Sequence, residues 1–287
     1  SPDSSDFDQD GNNDVVLTDR STGGVYVQFR NQEGRLWTSS LGTLPGPNWR
    51  VGAVGRFNED AVPDVLLVND QTGEMRVWSI IGGARPRVAR TDRLAIDVPK
   101  GATLAAARDL NRDGSLDLFF QNTTTGHVDV TFLDRMDPIG TGSLPDEDVQ
   151  GALVDVALLD SDLNPDLLWR RDDGTLVATL LGPSGIKFAD RVLGQLPSGW
   201  TPAGALNVLG DGSAEILIQD LDSGAARVWS LGDGGELVSQ AQYDLGANIL
   251  GISLLGARDQ VVPDVYAARP LLVVGTRISA VAGVSFT

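Results

Sequence analysis

Short apolar runs rich in β-branched and aromatic side chains recur along the chain, each followed by a polar turn that carries Gly. "VVLTD", "VLLVND", "LFFQN", "LLWRR" and "ILIQD" lead into "STGG", "QTGE", "TTGH", "DDGT" and "DSGA". A second run follows each turn: "VYVQF", "MRVWSI", "VDVTFL", "LVATLL" and "ARVWSL". Strand, Gly turn and strand predict a β-hairpin. A third run leads into a Leu-Pro or Val-Pro break in "LGTLP", "LAIDVP", "TGSLP" and "LGQLP". A fourth is built of small apolar residues, as in "VGAVGRF", "ATLAAARDL" and "ALVDVALLD", which suits a crowded inner position. No apolar period of 3.6 residues runs long enough for a helix.

These four strands form one repeat. An acidic residue stands just before each hairpin, at Asp14, Asp64, Asp117, Asp166, Glu215 and Asp264, with spacings of 50, 53, 49, 49 and 49 residues. Four-stranded antiparallel units at this period predict an all-β chain folded as a β-propeller, with blades packed radially around a channel. We read residues 1–287 as a single domain of six units, approximately 6–46, 47–99, 100–146, 147–198, 199–246 and 247–287. The first unit begins at its acidic loop and lacks an inner strand. Ile278 to Thr287 is the expected source of a closing strand, as the inner strand of the first blade or the outer strand of the sixth. A truncated seven-bladed ring is the competing expectation.

The loop before each hairpin carries the candidate chemistry. "DFDQDGNND" places oxygen side chains at alternate positions, Asp6, Asp8, Asp10, Asn12 and Asp14, with Gly11 among them. Ca²⁺ takes six to eight hard oxygen ligands, and alternate residues of a tight loop turn inward together. The third unit repeats the set as Asp109, Asn111, Asp113, Ser115 and Asp117, with Gly114 among them. The fourth keeps Asp160, Asp162, Asn164 and Asp166, but Leu158 holds the first position and no Gly is central. The second retains Asn58, Asp60 and Asp64 behind Arg56, the fifth Asp211 and Glu215, and the sixth is expected to be empty. A solvated turn built on Asn and Asp side chains is the alternative, and it suits the degenerate copies best. About two Ca²⁺ sites are expected, and up to four.

Composition narrows the function. The formal charge is −17, from 39 acidic and 22 basic residues, which disfavours nucleic acid and anionic membrane surfaces as partners. No apolar run approaches the roughly 20 residues of a membrane span. The absence of Cys removes disulfides and thiolate chemistry. His127 is the only histidine, so a multi-His metal centre is excluded, and no nucleophile-elbow or phosphate-cradling Gly motif accompanies it. Six Trp remain. Trp78 and Trp229 occupy equivalent hairpin positions and read as packing between blades. Trp49 in "PGPNWRV" and Trp200 in "PSGWTPA" precede inner strands, either as ligand-stacking aromatics or as caps on the core.

On "DFDQDGNNDVVL" and "DLNRDGSLDLFF", with weaker echoes in "RFNEDAVPDVLL" and "LDSDLNPDLLW", the chain resembles the FG-GAP or VCBS repeat family, whose propellers include the integrin α-subunit head. The resemblance covers nearly the whole chain as six units. It implies calcium at Asp6, Asp8, Asp10, Asn12 and Asp14, with Asn12 acting through its backbone carbonyl, and at Asp109, Asn111, Asp113, Ser115 and Asp117. It also implies that partners engage another face of the propeller. The Phe-Gly and Gly-Ala-Pro signatures of the family are not clearly present. The expected function is a secreted, cell-surface or periplasmic calcium-stabilised module that binds a glycan or an extracellular protein. A structural subunit of an extracellular assembly, or a polysaccharide lyase or glycosidase, are the alternatives.

Overall fold

The computed structural model describes residues 6–10, 14–19, 22–30, 36–145, 149–182, 187–206, 215–220, 225–243 and 272–274. Their regular structure is all β. The first sheet holds Val15–Thr18 (β1), Gly24–Arg30 (β2) and Leu36–Thr43 (β3), and the second Trp49–Gly55 (β4), Asp64–Asn69 (β5), Met75–Ile81 (β6) and Arg87–Leu94 (β7). Ala102–Arg108 (β8), Asp117–Asn122 (β9), Val128–Asp134 (β10) and Asp137–Ser143 (β11) make the third. Ala152–Ala157 (β12), Asp166–Arg170 (β13), Thr175–Leu181 (β14) and Lys187–Gln195 (β15) make the fourth. Trp200–Leu206 (β16), Glu215–Asp220 (β17), Ala226–Leu231 (β18) and Leu237–Tyr243 (β19) make the fifth. Leu272–Val274 (β20) pairs antiparallel with β1 and gives the first sheet its fourth strand.

The small-residue strands lie innermost. β4 packs on β8, β8 on β12 and β12 on β16, so successive sheets turn about a common centre as propeller blades. Each of these inner strands slips register at the same point, between Val51 and Ala53, Leu104 and Ala106, Leu153 and Asp155, and Pro202 and Gly204. A bulge there re-aims the side chains. Val51 faces the seam with the first sheet, whereas Ala53 faces the seam with the third.

The cores are these seams. Each of the four buried clusters joins two successive sheets, as Phe57, Leu66 and Met75 of the second unit meet Leu104, Leu118 and Phe120 of the third. Trp78 and Trp229 fill equivalent seams. Their indoles lie over Gly42 and Gly194 of the preceding outer strand, where a Cβ would stand 3.5 and 3.4 Å from the ring. These glycines have φ of +151° and +150°, a conformation that favours Gly.

Two expectations change. The described sheets number five, and the sixth unit, 247–287, lies outside the described residues except for Leu272–Val274. The strand that completes the first sheet is Leu272–Val274 rather than Ile278 to Thr287, which lies outside the described residues.

Candidate metal centre

Among the described residues, each acidic loop ends in a buried carboxylate. Asp14 is 3% exposed, Asp64, Asp117 and Asp166 are each 0%, and Glu215 is 1%. Hydrogen bonds explain why an acid sits there. One oxygen accepts the backbone N–H seven residues earlier: Phe7 to Asp14 at 2.8 Å, Phe57 to Asp64 at 3.1 Å, Leu110 to Asp117 at 2.9 Å and Leu159 to Asp166 at 2.9 Å. The other oxygen reaches the far strand of the hairpin, accepting from Ile80 at 3.0 Å, Leu133 at 3.3 Å and Leu181 at 2.8 Å. The carboxylate therefore staples the loop to its own blade. Asp64 does so in a loop that brings no metal-like group together among the described residues. The staple is structural whether or not a cation is bound.

The earlier positions behave differently from loop to loop. In the first, Asp6, Asp8 and Asp14 place oxygens within 4.8 Å of one another. In the fourth, Asp160, Asp162 and Asp166 do the same. The third loop, expected to match the first, forms no such trio of carboxylates among the described residues. There Asp109 accepts from the N–H groups of Asp113 and Gly114 at 3.1 and 3.0 Å, Asn111 from Asp113 at 3.0 Å, and Asp113 from Ser115 at 2.8 Å. Asn12 lies outside the described residues, and Asn164 donates its side-chain amide to Asp162 at 2.6 Å.

Turn chemistry runs through all four loops. Asp10, Asp60, Asp113 and Asp162 each donate a backbone N–H to the side chain two residues earlier, so this ladder alone does not distinguish a metal loop from an empty one. What distinguishes the first and fourth is convergence. Burial pushes the Asp14 carboxyl up to about 8, against the Phe7 hydrogen bond, and Asp8, Asp6 and Asp10 add their repulsion. Burial likewise pushes Asp166 up to about 7, with Asp160 and Asp162 adding to it. Asp8 and Asp160 are raised as well, first by burial. A hard cation relieves both the desolvation and the repulsion, and hard oxygens are its preferred donors. The first and fourth loops therefore fit a divalent cation.

Both loops also bear on the next blade. The carbonyl of Phe7 accepts from Gly83 N–H at 2.8 Å, in the turn between β6 and β7. Ser161 donates its N–H and its hydroxyl to the carbonyl of Asp233, each at 3.1 Å, in the turn between β18 and β19. The second loop follows suit through Glu59, which pairs with Arg135 of the third sheet at 2.7 Å.

The tryptophans singled out as ligand contacts take a packing role. Trp49 is buried at 9% exposure, and Trp200 is half-buried against the seam between the fourth and fifth sheets. Arg76 covers the Trp49 ring at 4.7 Å and Arg227 the Trp200 ring at 4.5 Å. His127 approaches Asp129 at 3.3 Å. Two polar bridges between successive sheets went unpredicted, one between the inner strands β12 and β16 and one from β9 to the start of β12. Asp155 accepts the N–H of Ala205 at 3.0 Å, and Gln121 accepts from Leu153 and donates to Gly151 at 2.9 and 2.7 Å. A polar residue inside an apolar strand run is the signal that marks both.

No protein-family model and no curated protein sequence matches the chain. Solved structures do resemble it. A Bacteroides caccae protein of unknown function aligns over 84% of this chain and 76% of its own, at 12% identity and a TM-score of 0.43. A Bacteroides uniformis protein provisionally described as a 6-phosphogluconolactonase covers 80% of this chain and 81% of its own, at 13% identity and 0.41. A chain of a nidogen–laminin complex covers 79% and 92%, at 11% and 0.43. The propeller architecture rests on the sheet order and seam packing described above.

Proposed function

We propose that the chain is a β-propeller braced by divalent cations, Ca²⁺ foremost, and that it serves as a binding module for a glycan or an extracellular protein. The observation that carries this reading is the pair of carboxylate trios, Asp6, Asp8 and Asp14 and Asp160, Asp162 and Asp166, in loops tied to the next blade. Asp6, Asp8, Asp160 and Asp162 hold the cation from the solvent side, and Asp14 and Asp166 hold it from the buried side while keeping their backbone bonds. A cation there neutralises the acids and stiffens the seam, which leaves a fixed outer surface for recognition. An all-oxygen set of carboxylates suits Ca²⁺, whereas Mg²⁺ demands near-octahedral geometry and keeps several waters. The acidic loops, at a charge of −17 overall, suit a secreted or cell-surface setting where Ca²⁺ is plentiful. The regular spacing of Asp264 supports a sixth repeat unit.

Thermal unfolding in excess EDTA, then in millimolar Ca²⁺ or Mg²⁺, tests the cation. A ligand bound only by the folded state adds about 2.7 kcal/mol per site at 100-fold saturation. Ca²⁺ should raise the melting temperature, and Asp8→Ala and Asp160→Ala should each remove one site's share. An undiminished Ca²⁺ response in both variants sinks the assignment. Glycan-array binding in Ca²⁺ without product release supports the binding module, and release of product from a polysaccharide overturns it in favour of an enzyme.

A further inference from the structure

The stretch "RPRVARTDR", Arg85 to Arg93, holds four arginines and one acid, a formal +3 inside a chain of −17. It covers most of β7 and the two residues before it, so the arginines line the outer edge of the second sheet. All four are exposed. Arg90 pairs with Asp92, two residues on. Arg85, Arg87 and Arg93 make no ion pair among the described residues.

Charge on an outer strand commonly guards the edge against pairing with another chain. The other outer strands do without it. β3, "LWTSSLGT", and β19, "LVSQAQY", carry no charged residue, and β11 carries Asp137 alone. β15 has Lys187 and Arg191, but Lys187 pairs with Asp190 at 2.8 Å. β3 lies beside β7, and it brings no carboxylate to answer the arginines. Salt screens exposed charges beyond about 8 Å, so a ligand on β7 meets the arginines rather than the distant acids.

The rest of the strand narrows the ligand. Side chains advance by about 3.4 Å per residue, so Arg87 to Arg93 spans about 20 Å. Pro86 is buried, and Val88 packs into the seam with the first sheet. Ala89 and Thr91 are the exposed uncharged residues between the arginines. Protein partners are held by aromatic or aliphatic anchors in buried pockets, and the strand offers none. It has no aromatic ring for a nucleic-acid base to stack on either. Guanidinium groups bind carboxylates through paired N–H bonds, and a sulfate presents similar oxygens.

We propose that β7 binds a linear acidic polysaccharide, whose successive carboxylate or sulfate groups meet Arg85, Arg87 and Arg93. The inference rests on the binding-module reading and names its glycan as an anionic one. It does not depend on the cation.

Titration calorimetry of the full chain with hyaluronan, heparin and neutral dextran tests it. At least one acidic polymer should bind, and dextran should not. Binding of hyaluronan assigns the site to carboxylates, and binding of heparin alone assigns it to sulfates. With three arginines in contact, the slope for a single-stranded polyanion predicts roughly 20-fold weaker binding at 200 mM than at 50 mM NaCl. The double variant Arg87→Ser, Arg93→Ser should bind about 10-fold more weakly with an unchanged melting temperature. Arg93→Ser alone serves if the double variant does not fold. Arg191→Ser removes an exposed arginine from β15 and should bind as wild type does. No binding of either acidic polymer, an equal loss in Arg191→Ser, or binding that survives the β7 variants overturns the proposal. Tighter binding of duplex DNA overturns it too, as does salt-sensitive self-association without glycan binding, which gives the strand to the acidic loops of a second copy. Binding of dextran instead overturns this inference and keeps the binding module. Cleavage of a bound polymer overturns the binding module and leaves the role of β7 to be read from the arginine variants.

Discussion

A carboxylate beside a metal loop can serve the metal or the backbone, and the ninth position of these loops serves the backbone first. Asp64 shows this most plainly, because it accepts from Phe57, Ile80 and Asn58 in a loop whose first position is Arg56. Burial pushes its carboxyl from the ordinary 3.8 up to about 6, more than its hydrogen bonds hold it down. An acid raised in the folded state favours folding fully below its unfolded value, and that advantage is lost as pH rises through the folded value. In EDTA, wild type should therefore lose about 2 kcal/mol against Asp64→Asn between pH 4.5 and pH 7. Urea unfolding of both proteins at the two pH values checks it; parallel pH profiles would refute the shift. The alternate oxygens of the loops were legible in the sequence, but their convergence was not. Asp109 and Asp113 follow the same spacing as Asp6 and Asp10, and Asp6 and Asp109 both accept the N–H four residues on, but Asn111 stands at the place of Asp8, so equal spacing does not give equal carboxylate trios.

The hairpins and the Pro-marked ends of the outer strands were legible because each is a local pattern of a few residues. The small side chains of β4, β8 and β12 likewise announced their inner place. The seams were less legible, because what fills them comes from two units at once. Trp78 and Trp229 read as inter-blade packing, but the glycine that admits each indole lies 36 and 35 residues earlier, in the preceding blade. Gly194→Val should destabilise the protein by about 3 kcal/mol, since a branched side chain meets both an unsuitable φ and the Trp229 ring. Chemical denaturation measures it, and a loss below about 0.5 kcal/mol would mean the seam relaxes around the new side chain. Trp49 and Trp200 were open between stacking on a ligand and capping the core; both pack against seam residues and lie under a guanidinium group. Nothing in the local sequence marks Arg76 or Arg227 as their partners.

Across the whole molecule the repeat dictated the propeller, because four strands at a fixed period have few other ways to bury both faces of every sheet. Closure was the part that sequence could not place. β1 needs a partner on its inner edge, and several apolar runs near the C-terminus would serve. Leu272–Val274 is the run that pairs, with Leu17 opposite Val273. Val273→Pro removes a backbone donor from that ladder and should cost about 3 kcal/mol. Light scattering during thermal unfolding should then show earlier aggregation through the uncovered edge; scattering and stability equal to wild type would deny the strand a closing role. The same pairing sets a timetable for the nascent chain. Thr18 and Leu272 meet across 253 intervening positions of sequence, so at ribosomal speeds of about 5–20 residues per second the first sheet waits on the order of 10–50 s for its last strand. Throughout that interval the emerging polypeptide presents an unzipped margin to the cell, and chaperones or a neighbouring nascent copy compete for it before its own chain returns.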